Sequence, residues 1–278
     1  MIPEIKDMAE AIRIMSAGLG KAELEIATSF TAPLYWVVKS RTGNIEARNG
    51  SAFFLDAGQG VFGVTAQHVI EGWRLAVAGG GVEALQLGRD LPLDFSGKNA
   101  ILAEDRDIDI ATFRITEAEV RSINKVVLTG HQTKWPPAPP LEGRGITFSG
   151  FPGISKEWLS AREICFGASP GGGIATSVSY KDISSQIIRD QLIAALGKGL
   201  PPENYDFRGI SGGPMLTIVE TSAIRSWRLA GVIVEGPNAS VREGESIAGL
   251  EVIKARRADF ILPDGQLDLA RWRSLQAY

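Results

Sequence analysis

The sequence predicts an all-β fold, and two features of the chain carry this prediction. Short apolar and aromatic runs recur along most of its 278 residues, and glycine-rich turns separate them. Strands at such spacing indicate a barrel or a sandwich, whereas helices alternating with strands would indicate an open parallel sheet. Hydrophobic residues make up 44% of the chain and charged residues 22%, so the protein can bury an ordinary globular core.

The strand candidates of the first half begin near residue 34. Two apolar runs, 34–39 and 52–56, precede a glycine-containing turn and a third run, 61–65. Weaker candidates follow at 82–87 and 110–115. Together they predict a first β-domain over residues 31–130.

A proline cluster separates this region from a second set of strand candidates. Trp135 is followed by P-P-A-P-P. Proline cannot donate a hydrogen bond to a sheet ladder, and it favours extended linkers. Strand candidates resume at 146–151, 163–167, 174–180, 215–219, 227–234 and 247–253. We therefore expect an N-terminal extension (1–30), a first β-domain (31–130), a linker (131–144), a second β-domain (145–262) and a C-terminal tail (263–278).

Two helices are predicted beside the strands. Pro3 suits a first helical position, and apolar residues recur at spacings of three and four from Ile5 to Leu19. A second helix is predicted over 184–196, where Ile188 and Leu192 begin an apolar face and glycines follow. We expect the first helix to pack on the body and the second to be a structural insertion. A docking segment and a lid are the respective alternatives.

Composition and charge exclude several classes of function. The formal net charge of -3 offers no basic face for nucleic acid, and no apolar run approaches the roughly 18 residues of a membrane helix. The first residues lack the pattern of a secretory signal, and Cys165 is the only cysteine, so no internal disulfide can form. We expect a cytoplasmic protein, although a signal removed earlier would leave the same sequence.

The most specific motif is the loop from Arg208 to Pro214, R-G-I-S-G-G-P. Glycines permit a tight turn with positive φ that projects a serine and directs N–H groups at one point. A serine hydroxyl needs an adjacent base to remove its proton as it attacks. Ser211 is the candidate nucleophile, and the N–H groups of Gly209 and Ser211 are the candidate oxyanion hole. The alternative is that the motif is only a Gly-Gly-Pro turn before a strand, without a catalytic role.

Histidine suits the role of base because its ordinary pKa lies near neutral pH. The chain has two histidines, His68 and His131. His68 follows the run 61–65 within T-A-Q-H-V, which would place the imidazole at the rim of a barrel. His131 lies beside the proline linker with no motif around it. We interpret His68 as the base and His131 as a surface or linker residue.

Three aspartates compete for the acid that would orient His68. Asp105, Asp107 and Asp109 alternate, so they would share one face of an extended segment. Asp109 begins D-I-A-T-F, where the chain becomes apolar and enters the core. We favour Asp109 and expect the other two to be solvated.

These motifs, in the order His, Asp, Ser, resemble those of the trypsin-like (chymotrypsin-clan) serine peptidases, and the stripped-down bacterial members more than the digestive enzymes. The resemblance covers residues from about 34 to 261. It implies two six-stranded antiparallel β-barrels, with His68 and Asp109 in the first and Ser211 in the second. It also implies a serine endopeptidase that acts on polypeptides through an acyl-enzyme, without metal or cofactor.

The chain departs from the family pattern at Ile210, where trypsin-type enzymes carry an aspartate. There the carboxylate pairs with a newly cleaved N-terminal amine, and isoleucine cannot form that ion pair. The oxyanion hole must therefore be preformed or ordered by another element. The resemblance also places Tyr205 at the base of the S1 pocket, with Val234, Glu235 and Gly236 along its wall. Tyr205 argues against an acidic pocket base, whereas Glu235 leaves a basic preference open.

Two alternatives to a constitutively active endopeptidase stay open at this point. One is a pseudo-protease, in which the same barrels serve as a binding or sensing module and the oxyanion loop is never ordered. The other is a protease that stays off until a regulatory partner engages the N-terminal helix or residues 184–196. The intact serine, histidine and aspartate candidates favour catalysis over the silent module. In each case we expect neither a nucleic-acid nor a membrane partner.

Overall fold

The computed structural model of the protein describes residues 20–39, 43–97, 99–130, 135–160, 163–188, 207–221, 224–236 and 250–276. The predicted N-terminal helix over 3–18, His131 and Tyr205 lie outside these residues. None of the described helices has the length and apolar content needed to cross a membrane.

The first half of the described chain forms one large sheet with three helices. In chain order its elements are α1 (Gly20–Ser29), β1 (Thr31–Lys39), β2 (Ile45–Asp56), β3 (Val61–Thr65), α2 (Gln67–Gly79), β4 (Val82–Leu87), β5 (Leu91–Pro92), β6 (Ile101–Asp105), β7 (Ile110–Arg114), α3 (Glu117–Ser122) and β8 (Leu128–Thr129). The antiparallel strands lie in the order β5-β4-β1-β2-β3-β7-β6, and β8 pairs in parallel with β2.

The second half forms a closed barrel. Its elements are β9 (Gly145–Phe148), β10 (Lys156–Ser160), β11 (Glu163–Phe166), β12 (Gly171–Val178), β13 (Asp182–Ile188), β14 (Pro214–Thr221), β15 (Ile224–Glu235), β16 (Leu250–Arg257) and α4 (Leu269–Ser274). Six antiparallel strands close in the order β12-β13-β16-β15-β14-β9. Strands β10 and β11 form a separate hairpin.

The all-β prediction is confirmed, and the second six-stranded barrel is present as expected. The first half differs in detail. Seven of its eight described strands pair in a row from β5 to β6, and β8 pairs with β2 beside that row. The row does not close into a six-stranded ring. Strand β2 is twelve residues long, far longer than the predicted run 52–56. Residues 45–53 pair with β1 and residues 52–56 pair with β3, so one strand connects both parts of the sheet.

The predicted helix over 184–196 is wrong for its first five residues. Residues 184–188 belong to β13, which pairs with β12 on one side and β16 on the other. Ladders on both sides satisfy its backbone groups, and Ile183 and Ser185 alternate inward, as strand geometry requires. Tertiary pairing therefore overrides the helical spacing of the apolar residues. Residues 189–196 lie outside the described residues.

None of the four described helices was predicted from the sequence, and α1 and α2 show why. Helix α1 begins at Gly20, directly after the apolar pattern that ends at Leu19, and its Leu24 and Ala27 are buried. Helix α2 buries Val69, Ile70 and Trp73 against the sheet. These residues have the i, i+1, i+4 spacing of an amphipathic helix, so the signal was present in the sequence.

The two halves share one hydrophobic core. Phe53 and Leu55 of β2 pack in the same buried cluster as Leu216 and Val232 of the barrel. Trp272 of α4 belongs to this cluster and lies edge-on to Phe260. Residues predicted as a C-terminal tail therefore contribute a helix to the shared core.

Replacing Trp272 with alanine should destabilise the whole protein. The indole is 6% exposed, and the ring also contacts the Lys181 ammonium and the Arg256 guanidinium, each 4.6 Å from the ring centroid. We expect the free energy of unfolding to fall by about 3–5 kcal/mol, as for buried tryptophans elsewhere. Urea unfolding monitored by circular dichroism measures it.

Tyr180→Ala is the matched aromatic control, because Tyr180 is 76% exposed. Its effect should stay within about 0.5 kcal/mol. Equal losses from the two variants would show that α4 does not help to hold the core.

Candidate active site

His68 lies at the start of α2, directly after strand β3. Thr65, the last residue of β3, is fully buried and its hydroxyl donates to the Ser51 carbonyl oxygen at 2.7 Å. The imidazole that follows is 49% exposed and faces a surface cavity. The end of a buried strand thus presents His68 to solvent.

Asp109 contacts His68 through its carboxylate. The Nδ1 atom of His68 lies 2.8 Å from Oδ2 and 3.0 Å from Oδ1 of Asp109, and the backbone N–H of His68 donates to Oδ1 at 3.0 Å. Asp109 thus contacts both the ring and the backbone N–H of His68, and it fixes the imidazole together with the start of α2. Asp109 is therefore the one of the three competing aspartates that meets the imidazole.

Asp109 takes a backbone conformation that a side-chain-bearing residue rarely adopts. Its φ is +59°, and residues 106–109 form a turn instead of the extended segment that was expected. Asp105 builds this turn, because its Oδ1 accepts the N–H groups of Asp107 and Ile108, each at 2.9 Å. The prediction that Asp105 is merely solvated is wrong, whereas Asp107 is exposed as expected.

Arg256 holds the same turn from the opposite side. Its guanidinium donates from Nε to the Ile108 carbonyl at 2.7 Å and from Nη2 to the Asp107 carbonyl at 3.4 Å. Nη1 pairs with Asp182 at 2.7 Å, and the Arg256 side chain is 13% exposed. A residue of the barrel therefore braces the backbone immediately before Asp109.

The serine loop needs its glycines for space. A Cβ at Gly212 would lie 2.0 Å from the Ser51 carbonyl oxygen, and one at Gly213 would lie 2.0 Å from the Ser149 carbonyl oxygen. Gly209 and Gly212 have φ values of +105° and +90°. The glycine pattern of the motif thus reflects a backbone packed tightly between strands of both halves.

All four carbonyl oxygens from Arg208 to Ser211 accept hydrogen bonds. Their donors are, in chain order, the Gly153 N–H at 2.8 Å, the Ser51 hydroxyl at 2.8 Å, the Gly213 N–H at 3.0 Å and the Ser51 N–H at 2.8 Å. In a trans peptide the C=O and N–H groups point in opposite directions. The Arg208 carbonyl shares its peptide group with the Gly209 N–H, and the Ile210 carbonyl shares its peptide group with the Ser211 N–H. Each of these N–H groups therefore points away from the donor that holds its carbonyl. Within the described part of the chain, neither of these two N–H groups donates a hydrogen bond.

Ile210 anchors the loop through apolar contacts. Its side chain is 1% exposed and belongs to the buried cluster of the barrel with Phe148, Phe207 and Met215. The backbone of Gly236 approaches so closely that a Cβ there would lie 2.9 Å from Ile210 Cδ1. Burial of this side chain holds the loop where trypsin-type enzymes use an ion pair.

Ser211 and His68 line one cavity of about 190 Å³, together with Phe207, Arg208 and residues 234–236. The Ser211 hydroxyl donates to the Val234 carbonyl oxygen at 3.5 Å. Among the described residues, no hydrogen bond joins Ser211 to His68. Glu235 is largely exposed and pairs with Lys254 at 3.5 Å, so its charge is partly countered.

Groups of three or more histidine, cysteine, aspartate or glutamate side chains placed to hold a metal ion are absent from the described residues. Sequence reasoning missed Ser51 and Arg256, which lie far along the chain from the residues they contact. The polar triplet Asn49-Gly50-Ser51, which interrupts the apolar residues of a strand, was a signal that could have found Ser51.

Comparisons with known proteins give similarities to solved structures. No family model matches the chain, and no curated protein matches it. The crystal structure of Deg5 is 15% identical over 84% of this chain and 88% of its own, with a TM-score of 0.41. The serine protease domain of the Sesbania mosaic virus polyprotein is 12% identical over 82% and 88%, with a TM-score of 0.38.

Removing the guanidinium of Arg256 should loosen the turn that carries Asp109. In Arg256→Met the Ile108 carbonyl loses its donor, and we expect the amide of Asp109 to exchange its hydrogen about tenfold faster or more. Hydrogen exchange read by NMR measures this.

Arg114→Met is the control, because the exposed Arg114 also donates from Nε to a backbone carbonyl, that of Asn99, at 2.8 Å. It should leave the Asp109 amide unchanged. An unchanged rate in Arg256→Met as well would show that the turn holds itself.

Proposed function

We propose that the protein is a serine endopeptidase that cleaves polypeptides through Ser211, His68 and Asp109. The observation that carries the proposal is that His68, paired with Asp109 at 2.8 Å, lines the same cavity as Ser211. The N–H groups of Gly209 and Ser211 support it, because neither donates to an acceptor among the described residues and acyl transfer needs donors for the developing oxyanion.

The reaction begins when the Ser211 hydroxyl turns from the Val234 carbonyl toward Nε2 of His68, a rotation about one side-chain bond. Oγ attacks the scissile carbonyl carbon while His68 takes its proton. Asp109, on the Nδ1 side, holds the ring and stabilises the imidazolium. The N–H groups of Gly209 and Ser211 receive the negative charge of the carbonyl oxygen.

Two bond changes complete the cycle. The C–N bond of the substrate breaks as His68 gives its proton to the leaving amine, which leaves an ester on Ser211. Water then attacks the ester carbonyl, with His68 taking one proton of the water and returning it to Ser211. The second product is released as a carboxylic acid.

Substrate binding is assigned to residues 234–236, which line the cavity beside Ser211. An extended peptide would place its backbone along Val234 and Gly236 and one side chain toward Phe207. Tyr205, the predicted base of the S1 pocket, lies outside the described residues and stays a prediction. The domain boundaries, a cytoplasmic location and a regulatory partner also stay predictions from the sequence.

A fluorophosphonate probe tests the proposed chemistry directly, because it reacts with an activated serine. We expect the wild-type protein to label and Ser211→Ala not to label. His68→Ala and Asp109→Asn should slow labelling by about a thousandfold or more, because residues of a triad act as a unit. His131→Ala, which removes the other histidine, is the control and should label at the wild-type rate.

Failure has two recognisable forms. If the folded wild-type protein and Ser211→Ala both stay unlabelled, the silent binding module is the better description. Labelling that begins only after a cell extract is added would support control by a partner.

A methyl group at Gly209 should slow the reaction of Ser211 with the probe. In Gly209→Ala the new Cβ would lie 2.6 Å from Asn49 Nδ2 and 2.7 Å from the Phe151 carbonyl oxygen, and φ is unfavourable for alanine. The displaced N–H would lose its alignment, and we expect labelling to slow by about a hundredfold or more.

Gly60→Ala is the matched control, because Gly60 has a similar φ of +112° with nothing within 4 Å of the new Cβ. It carries the same backbone strain without the collision, so its labelling rate should equal that of the wild type. Comparable losses from both variants would refute the role given to the Gly209 N–H.

A further inference from the structure

Ser51 makes four hydrogen bonds, and three of them cross from the sheet to the barrel half. Its hydroxyl donates to the Gly209 carbonyl at 2.8 Å and accepts the Phe151 N–H at 2.9 Å. Its own N–H donates to the Ser211 carbonyl at 2.8 Å. The fourth bond, from the Thr65 hydroxyl to its carbonyl, ties Ser51 to strand β3 within the sheet. Ser51 is fully buried, so water cannot replace any of these partners.

Asn49 adds a second polar contact from the same strand. Asn49 and Ser51 project to one face of β2 because side chains alternate along a strand. The Asn49 amide donates from Nδ2 to the Phe151 carbonyl at 2.5 Å. Gly50 faces the other way, where a Cβ would lie 2.5 Å from Val69 of α2. The triplet therefore packs against the helix of His68 on one side and the serine loop on the other.

We propose that Ser51 is a positioning residue for the oxyanion hole, acting through the carbonyls of Gly209 and Ser211. This inference rests on the proposed function. Ser51 does not line the cavity. The two peptide groups whose oxygens it holds, 209–210 and 211–212, lie on either side of the 210–211 peptide group that carries the Ser211 N–H. Ser51 therefore limits the rotation of that peptide group from both sides.

The reason lies in the freedom of a glycine-rich loop. Gly209, Gly212 and Gly213 can adopt many backbone conformations, so their sequence alone does not keep the N–H groups aligned. A peptide group turns as a unit, so donors to the Gly209 and Ser211 oxygens also hold the N–H groups of Ile210 and Gly212, on either side of the 210–211 peptide group. Ser51 supplies two of the four donors that hold carbonyls from Arg208 to Ser211.

The same hydroxyl also positions a third donor. By accepting the Phe151 N–H, Ser51 holds the segment that continues to Gly153, whose N–H donates to the Arg208 carbonyl. That carbonyl belongs to the peptide group that carries the Gly209 N–H. One residue on the sheet thus acts on the Gly209 N–H through Gly153, and on the Ser211 N–H through the peptide groups that flank it.

The experiment separates positioning from folding in Ser51→Ala. The rate of labelling by a fluorophosphonate–rhodamine probe is measured against probe concentration, which yields kinact and Ki. We expect kinact per folded molecule to fall about tenfold or more, because the tetrahedral transition state needs aligned donors. Ki should change less than twofold, since the initial complex makes no oxyanion.

Ser185→Ala is the matched control. Ser185 is also fully buried, and its hydroxyl donates to the Ile174 carbonyl at 2.8 Å, but it lies on β13 within the barrel wall. It should lose comparable stability while kinact stays unchanged. If Ser51→Ala does not fold, Asn49→Ala replaces it, because Asn49 is only half-buried. In Asn49→Ala we expect kinact to fall as well, by a smaller factor.

Hydrogen exchange gives a readout that does not depend on activity. The Ile210 amide, which donates to the Phe207 carbonyl at 3.1 Å, should exchange about tenfold faster in Ser51→Ala than in Ser185→Ala. Equal exchange and equal kinact in these two variants would overturn the role of Ser51. An unlabelled wild type with faster exchange in Ser51→Ala would reject the peptidase and retain the bracing of the loop.

Discussion

The arrangement of the site depends on how the carbonyl oxygens between Arg208 and Ser211 are held. Each one accepts a hydrogen bond, and donors from outside the loop supply three of the four bonds. A glycine-rich segment gains no rigidity from its own side chains. The order of the loop therefore comes from hydrogen bonds that Ser51 and Gly153 donate. Within the described part of the chain, the N–H groups of Gly209 and Ser211 donate to no acceptor.

The two halves of the protein brace each other's loops. Ser51, on the sheet, holds the serine loop of the barrel, and Arg256, on the barrel, holds the turn before Asp109 on the sheet. Their shared core, which includes Trp272, keeps both sets of contacts in register. Because a hydrogen bond weakens steeply over a few tenths of an ångström, alignment of the proposed catalytic groups depends on docking of the halves.

Ile210 shows how apolar packing can take the place of a charged anchor. An aspartate at this position would be buried and would need a cationic partner, whereas isoleucine gains free energy from burial itself. The loop is thus held by contacts that form with the barrel core. This arrangement would let the proposed oxyanion hole form on folding, and it fits the proposal without an activating cleavage.

The sequence alone determined which side chains could carry the chemistry. His68, Asp109 and Ser211 lie in short motifs. Asp109, and the glycines 209 and 212 on either side of Ser211, have positive φ values that few residue types adopt. Tertiary structure decided which aspartate meets the histidine, that residues 184–188 form a strand, and that Ser51 and Arg256 brace the loops. These outcomes depend on contacts between residues up to 158 positions apart, which leave no periodic pattern in the chain.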